Sequence, residues 1–184
     1  MAGVDEVGRG PLAGPIVAAA VILPLDCSIE GLNDSKKLSP RQREKIFPQI
    51  KKRAVAIGVG AVSHKRIDQI GIGPANILAM ERAIAKLKIF PDHLLLDGGR
   101  SKVNSDLPQK GITRGDGKCA SIAAASIIAK VIRDRLMVKY HKKFPLYGFA
   151  RHKGYGTRGH IGKIHEFGPC PIHRRSFYPV SALS

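Results

Sequence analysis

The chain has 184 residues, 43% of them hydrophobic, which is enough for one compact domain with its own core and unlike a disordered tail protein. Thirty-one lysines and arginines stand against fourteen acids, a formal net charge of +17, far more than solubility requires. A phosphate backbone is the commonest partner of such a surface, because neutralising phosphates releases condensed counterions, but charge alone leaves open whether the chain coats a nucleic acid or acts on it chemically.

The three cysteines, Cys27, Cys119 and Cys170, are widely spaced and odd in number. They have no zinc-ligand spacing and predict no disulfide framework, so a reducing, cytoplasmic setting is expected. The apolar run over residues 11–25 contains three prolines, is too short to span a bilayer and follows an acidic pair rather than basic residues. It reads as buried core, and no membrane contact is expected.

Residues 1–7 predict a short strand. A glycine-rich turn, Gly8-Arg9-Gly10-Pro11, leads to a second strand of buried-strand length over 16–23, a hairpin-like start with a wide turn. After a polar loop at 31–37, Ser39 as cap and Pro40 at the first helical position predict a helix to about residue 52, with Pro48 as a candidate interruption. A third strand is expected over 54–62, a short helix over 63–70 and a longer amphipathic one over 74–87. Leu94, Leu95 and Leu96 form a buried-strand core ending abruptly at Asp97-Gly98-Gly99.

The clearest helix covers 120–140. Its first half is rich in small residues, which let a helix approach a sheet closely. Its second half carries Lys130, Arg133, Arg135 and Lys139. A loop with glycines and aromatics follows over 147–157, then a basic helix over about 158–167 and a tail with little periodicity. Alternating strands and helices predict an α/β fold.

With acids so scarce, their positions inform. Asp5 and Glu6 sit in a short strand, Asp97 ends another and Asp116 precedes the small-residue helix. Taken singly, Asp97 reads as a turn residue and Asp116 as a charge favoured by a helix dipole. Taken together, a carboxylate cluster at strand ends repels itself unless something cationic sits within it. Hard divalent cations prefer oxygen ligands, and magnesium or manganese fits. Asp134 is the rival for the fourth place. It lies eighteen positions beyond Asp116, about 27 Å of intervening helix, so both cannot serve one cluster, and Asp116 is preferred.

The glycines at 8 and 10 do not match a dinucleotide fingerprint, and a strand rather than a helix follows them. Contact with a polynucleotide suits them better, because bare backbone can approach a sugar and bond a 2′-hydroxyl. The histidines suggest no metal site: His160 and His165 are five apart, where a helical pair needs four.

The run Asp5-Glu6-Val7-Gly8-Arg9-Gly10-Pro11-Leu12-Ala13-Gly14-Pro15 closely resembles the opening motif of bacterial ribonuclease HII. The same holds for Asp34-Ser35-Lys36-Lys37-Leu38, Leu95-Leu96-Asp97-Gly98, Gly115-Asp116 with the following Ser121 to Val131 run, and His152-Lys153-Gly154-Tyr155-Gly156-Thr157. Five motifs in the family's order cover nearly the whole chain.

The resemblance implies a ribonuclease H-like fold: a mixed central β-sheet flanked by helices, one catalytic domain over 1–184 in which about 140–184 form a helical, substrate-binding extension. It implies that Asp5, Glu6, Asp97 and Asp116 are catalytic and bind two divalent ions, Mg2+ or Mn2+, about 4 Å apart. It implies that Gly8, Arg9 and Gly10 sense the ribonucleotide and that Tyr155 stacks on the neighbouring deoxyribose. Lys36, Lys37, Lys153 and Ser176 match positions that hold backbone phosphates. Two features depart from the family pattern: Arg114 replaces a lysine before Gly115-Asp116, and the lead before Asp5 is only four residues.

The expected activity is an endonuclease that cuts RNA in RNA–DNA hybrids and 5′ of ribonucleotides in duplex DNA, leaving a 3′-hydroxyl and a 5′-phosphate. A monomer is expected, and the tail carries no clear motif for a sliding clamp. The competing readings are a non-catalytic RNA-binding protein, a structural protein using its basic surface, and the sister type 3 enzyme. The last usually has a separate N-terminal domain and lysine in place of Arg9.

Overall fold

The computed structural model describes residues 1–33, 35 and 37–183. Strand β1 (Ala2–Val7) pairs antiparallel with β2 (Ile16–Ile22), and β2 pairs antiparallel with β3 (Ala56–Val62). On the other side of β1, β4 (Leu94–Asp97) and β5 (Gln109–Ile112) add in parallel, so the strand order is β3-β2-β1-β4-β5. This is the mixed sheet expected from the sequence.

Helices cover both faces. On one face lie α2 (His64–Ile70) and α3 (Ile72–Ile84), where Ala79, Met80 and Ala83 pack with Val4, Ala18, Ala20, Leu94 and Leu96. On the other lie α1 (Pro40–Arg53) and α4 (Ala120–Lys143), where Ile46, Ile50, Ala124, Ile127 and Ile128 pack with Val17, Ala19 and Val21. The small residues of α4 do what their size permits. A Cβ on Gly3 would lie 2.2 Å from the Ser121 carbonyl carbon, so β1 and α4 touch backbone to backbone.

The third core cluster joins Leu12 and Ala13, from the β1–β2 connection, to Met137 of α4. It also takes in Tyr147, Phe149 of the one-turn α5 (Phe149–His152), Ile164 of α6 (Arg158–Phe167), Ile172 and Val180. Backbone bonds from Leu12 N to Gly154 O (2.8 Å), Gly14 N to Ile172 O (2.9 Å) and Arg174 N to Leu12 O (2.8 Å) tie that connection to the C-terminal segment.

Several boundaries differ from the sequence expectation for identifiable reasons. Pro48 lies inside α1 without ending it; an interior proline removes one ladder bond, and here the buried face of Ile46, Phe47 and Ile50 outweighs the loss. Helix α3 begins two residues before Pro74, because Gly71 at φ 80° reverses the chain and the proline falls in the first turn, where its missing N–H costs nothing. Strand β5 was not expected. It is a four-residue edge strand carrying Lys110 and Gly111 and is only half-buried; it shows no alternation, and Ile112 is its one β-branched residue. No helix among the described residues is long and apolar enough to cross a membrane.

Candidate active site

The register decides which acids meet. Val4 pairs with Leu96, so Asp5 and Asp97 follow at one level on neighbouring parallel strands. Val4 and Leu96 lie in the core on the α3 side; alternation turns the next residue of each strand to the α4 side. Asp116 comes from a 3₁₀ turn (Gly115–Gly117) just ahead of α4. One carboxylate oxygen from each of Asp5, Asp97 and Asp116 lies within 4.8 Å of the other two. Asp5 and Asp116 are buried, and Asp97 is half-buried.

Glu6 sits beside this trio rather than in it. As the next residue on β1, it leaves the strand from the opposite face, and its carboxylate meets Arg9 at 3.5 Å. It still feels the cluster. Burial pushes the Glu6 carboxyl above the usual range, Arg9 opposes this, and the charge of Asp97 adds to the rise.

Asp5 is raised further, first by burial and then by the charges of Glu6 and Asp97. It is opposed by a hydrogen bond with Ser126, whose hydroxyl also lies 2.7 Å from that of Ser35, and by the Glu6 amide, which donates to Asp5 at 2.7 Å. Among the described residues no ion pair reaches Asp5 or Asp97. Three oxygen donors within reach of one another, two of them buried and one strongly disfavoured as an anion, suit a hard divalent cation.

Asp134 is spoken for elsewhere. It bonds Lys130 at 2.7 Å and lies 3.9 Å from Arg43 of α1.

Gly8, at φ 103°, begins the β1–β2 connection, with Arg9 and Gly10 exposed beyond it. Tyr155 is 40% exposed and lies 5.9 Å from the Arg133 guanidinium, so it faces solvent rather than covering core. Lys37 is exposed, and Lys36 lies outside the described residues.

Lys153 is half-buried and turns its ammonium onto the Ala150 carbonyl. The Ser176 hydroxyl donates to Asp68 at 2.6 Å, and its amide donates to the same oxygen at 3.0 Å. Arg114 adopts a left-handed conformation at φ 54° with its side chain exposed, so its charge remains near the Asp116 turn.

Three residues of the site were not singled out from the sequence. Ser126 touches Asp5. Arg133 and Arg174 are fully buried beneath the β1–β2 connection. Arg133 has a readable signal, since Ala129 and Met137, four residues to either side, are also buried and share its helix face. Arg174 lies in an aperiodic segment and has none.

The model for the family "Ribonuclease HII" matches residues 2–180. A ribonuclease HII from Acetivibrio thermocellus is 56% identical over 177 residues, covering 96% of this chain and 69% of that protein. Among solved structures, the ribonuclease H2 of Pyrococcus horikoshii OT3 superposes with a TM-score of 0.84 at 28% identity, covering 99% of this chain and 95% of that one. The ribonuclease HII of Archaeoglobus fulgidus, solved in complex with PCNA, gives 0.76 at 26% identity over 96% and 94%.

Proposed function

The chain belongs to the ribonuclease HII family, whose members cleave RNA in RNA–DNA hybrids, and on that premise we propose that it also cuts duplex DNA on the 5′ side of embedded ribonucleotides. The observation carrying this reading is the convergence of Asp5, Asp97 and Asp116 beside the Gly8-Arg9-Gly10 turn. The three carboxylates would hold two divalent ions, Mg2+ or Mn2+, with Glu6 completing the set from its place beside Arg9. Such ions supply an activated water and stabilise the departing oxygen. Hydrolysis then forms a P–O bond from water and breaks the bond to the upstream O3′, leaving a 3′-hydroxyl and a 5′-phosphate.

The remaining residues bind and orient. The bare backbone at Gly8 and Gly10 approaches the ribose, where the 2′-hydroxyl separates RNA from DNA. Tyr155 stacks on the adjoining deoxyribose. Arg9, Lys37 and Lys153 face phosphates in a chain whose net charge is +17. The C-terminal part, from about residue 140, acts as the substrate-binding extension through its ties to the β1–β2 connection. An enzyme that acts on genomic ribonucleotides would work in the cytoplasm, here as a monomer. The A. fulgidus relative in its PCNA complex makes a sliding clamp a candidate partner.

The test is incubation with a duplex bearing one ribonucleotide, in magnesium, manganese or chelator. A single cut 5′ of the ribonucleotide, metal-dependent and leaving an extendable 3′-hydroxyl, is expected. Binding without cleavage in any metal would favour a non-catalytic RNA-binding protein.

A further inference from the structure

Arg133, on α4, and Arg174, in the C-terminal segment, are both 0% exposed. Among the described residues no ion pair reaches either guanidinium. Their hydrogen bonds go to main-chain carbonyls instead. Arg174 donates to Gly8 (2.6 Å), Arg9 (2.8 Å) and Gly14 (3.0 Å). Arg133 donates to Ala13 (3.2 Å), Pro15 (3.0 Å) and Lys153 (3.0 Å). Two cations with no acid between them thus hold five carbonyls of one connection and a sixth just before Tyr155.

Burying a guanidinium without a directly paired carboxylate is costly, and apolar side chains of similar volume would pack the same space more cheaply. The strain registers electrostatically. Burial and the nearby Arg133 charge bring Arg174 down to about 9, and burial lowers Arg133 as well.

A trans peptide is planar, with its C=O and N–H pointing in opposite directions. When Arg174 draws the Gly8 and Arg9 carbonyls inward, the N–H groups of Arg9 and Gly10 turn outward. Among the described residues no acceptor takes either N–H. Gly8 permits the arrangement, since at φ 103° a Cβ there would lie 2.4 Å from Arg133 Nε.

We propose that Arg133 and Arg174 are positioning residues for ribose recognition: they fix the Gly8–Arg9 and Arg9–Gly10 peptide planes so that two backbone donors await a 2′-oxygen. The proposal rests on the reading that this turn senses the ribonucleotide. It also explains why the C-terminal segment matters to a site built on the first strand. Through the Lys153 carbonyl and the Tyr155 ring, Arg133 couples the placement of the turn to that of the aromatic residue.

The experiment compares affinity, in calcium to limit turnover, for a duplex with one ribonucleotide and for the all-DNA duplex of the same sequence. Wild type, Arg174→Met and Arg174→Lys are measured, with thermal melts as a fold control. Wild type should prefer the ribonucleotide. Arg174→Met should lose about tenfold of that preference, the worth of one or two hydrogen bonds, while all-DNA affinity changes far less.

Arg174→Lys keeps the charge but cannot reach three carbonyls, so it too should lose preference; it carries the comparison if the methionine variant does not fold. Preference retained in the folded variants, or equal loss on both duplexes, overturns the positioning role while leaving the ribose-sensing reading intact. No preference in wild type overturns that reading, and the proposal falls with it.

Discussion

A side-chain oxygen of Asp97 accepts the Gly115 amide at 2.8 Å, so the end of β4 anchors the turn that carries Asp116. Two acids far apart in sequence are thereby placed relative to one another by a single bond as well as by the fold. Asp97 both holds that turn and faces the cluster, and its replacement tests both roles at once.

Asp5→Asn and Asp97→Asn should each lower cleavage of a ribonucleotide-bearing duplex by about a thousandfold or more, since metal ions contribute several kcal/mol of transition-state stabilisation. Binding of the uncut duplex should persist, because the basic surface is untouched. Gel-shift and cleavage assays on the same preparations separate the two effects. Full activity in either variant removes that residue from the metal set.

Asp5 also makes a prediction for stability. Its carboxyl is raised in the folded protein, so folding favours the protonated form. The contribution is fully present below the ordinary carboxylate range, about pH 3.9, and is lost as pH rises through the raised value. Without metal at neutral pH, Asp5→Asn should therefore melt above wild type, and the gap should close on acidification. Magnesium or manganese should raise the wild-type melting temperature far more than that of the variant. Equal stabilisation of both would place the ion elsewhere.

The buried pair His160 and His173 sets an acid limit. Their Nε2 atoms lie 3.1 Å apart; His160 Nδ1 bonds the Tyr155 carbonyl at 2.9 Å, and His173 Nδ1 accepts the Cys170 amide at 2.9 Å. Two neutral rings satisfy this chain, with His173 donating to His160. Protonation would set two donors face to face.

Burial brings both rings down to about 4, and for His173 the charge of His160 adds to the effect. Values depressed below the usual ~6.5 stabilise the fold above that pH, and the contribution is lost as pH falls towards 4. Melting temperature should drop across that window, and His160→Gln should flatten the slope. An unchanged slope would mean that other groups set the acid limit.

Gly3→Ala should destabilise the fold by about 3 kcal/mol or more, because the new methyl meets the backbone of α4 at 2.2 Å rather than a side chain that can move. Denaturant titration measures this. A loss below about 1 kcal/mol would show that β1 and α4 can separate freely.

Much of this was legible in the sequence because strong local signals agreed with the fold. Ser39 and Pro40 start α1, and the small residues of α4 mark its close approach to β1. The choice of Asp116 over Asp134 needed only helix geometry. What was not legible depends on distant partners. Strand β5 exists because β4 offers it an edge, not because Gln109, Lys110 and Gly111 favour strand. Arg133 counted among the basic residues of the second half of α4, yet it lies at the bottom of the β1–β2 connection. The bond from the Ser176 hydroxyl to Asp68, over a hundred residues earlier, likewise has no local signal.

Anomalous diffraction from crystals soaked in manganese bears most directly on the proposed metal centre. A peak within coordination distance of Asp5, Asp97 and Asp116 together, absent from Asp5→Asn crystals treated alike, is the expected result. Manganese bound elsewhere with that cluster empty, or a peak unchanged by the Asp5 substitution, would contradict it.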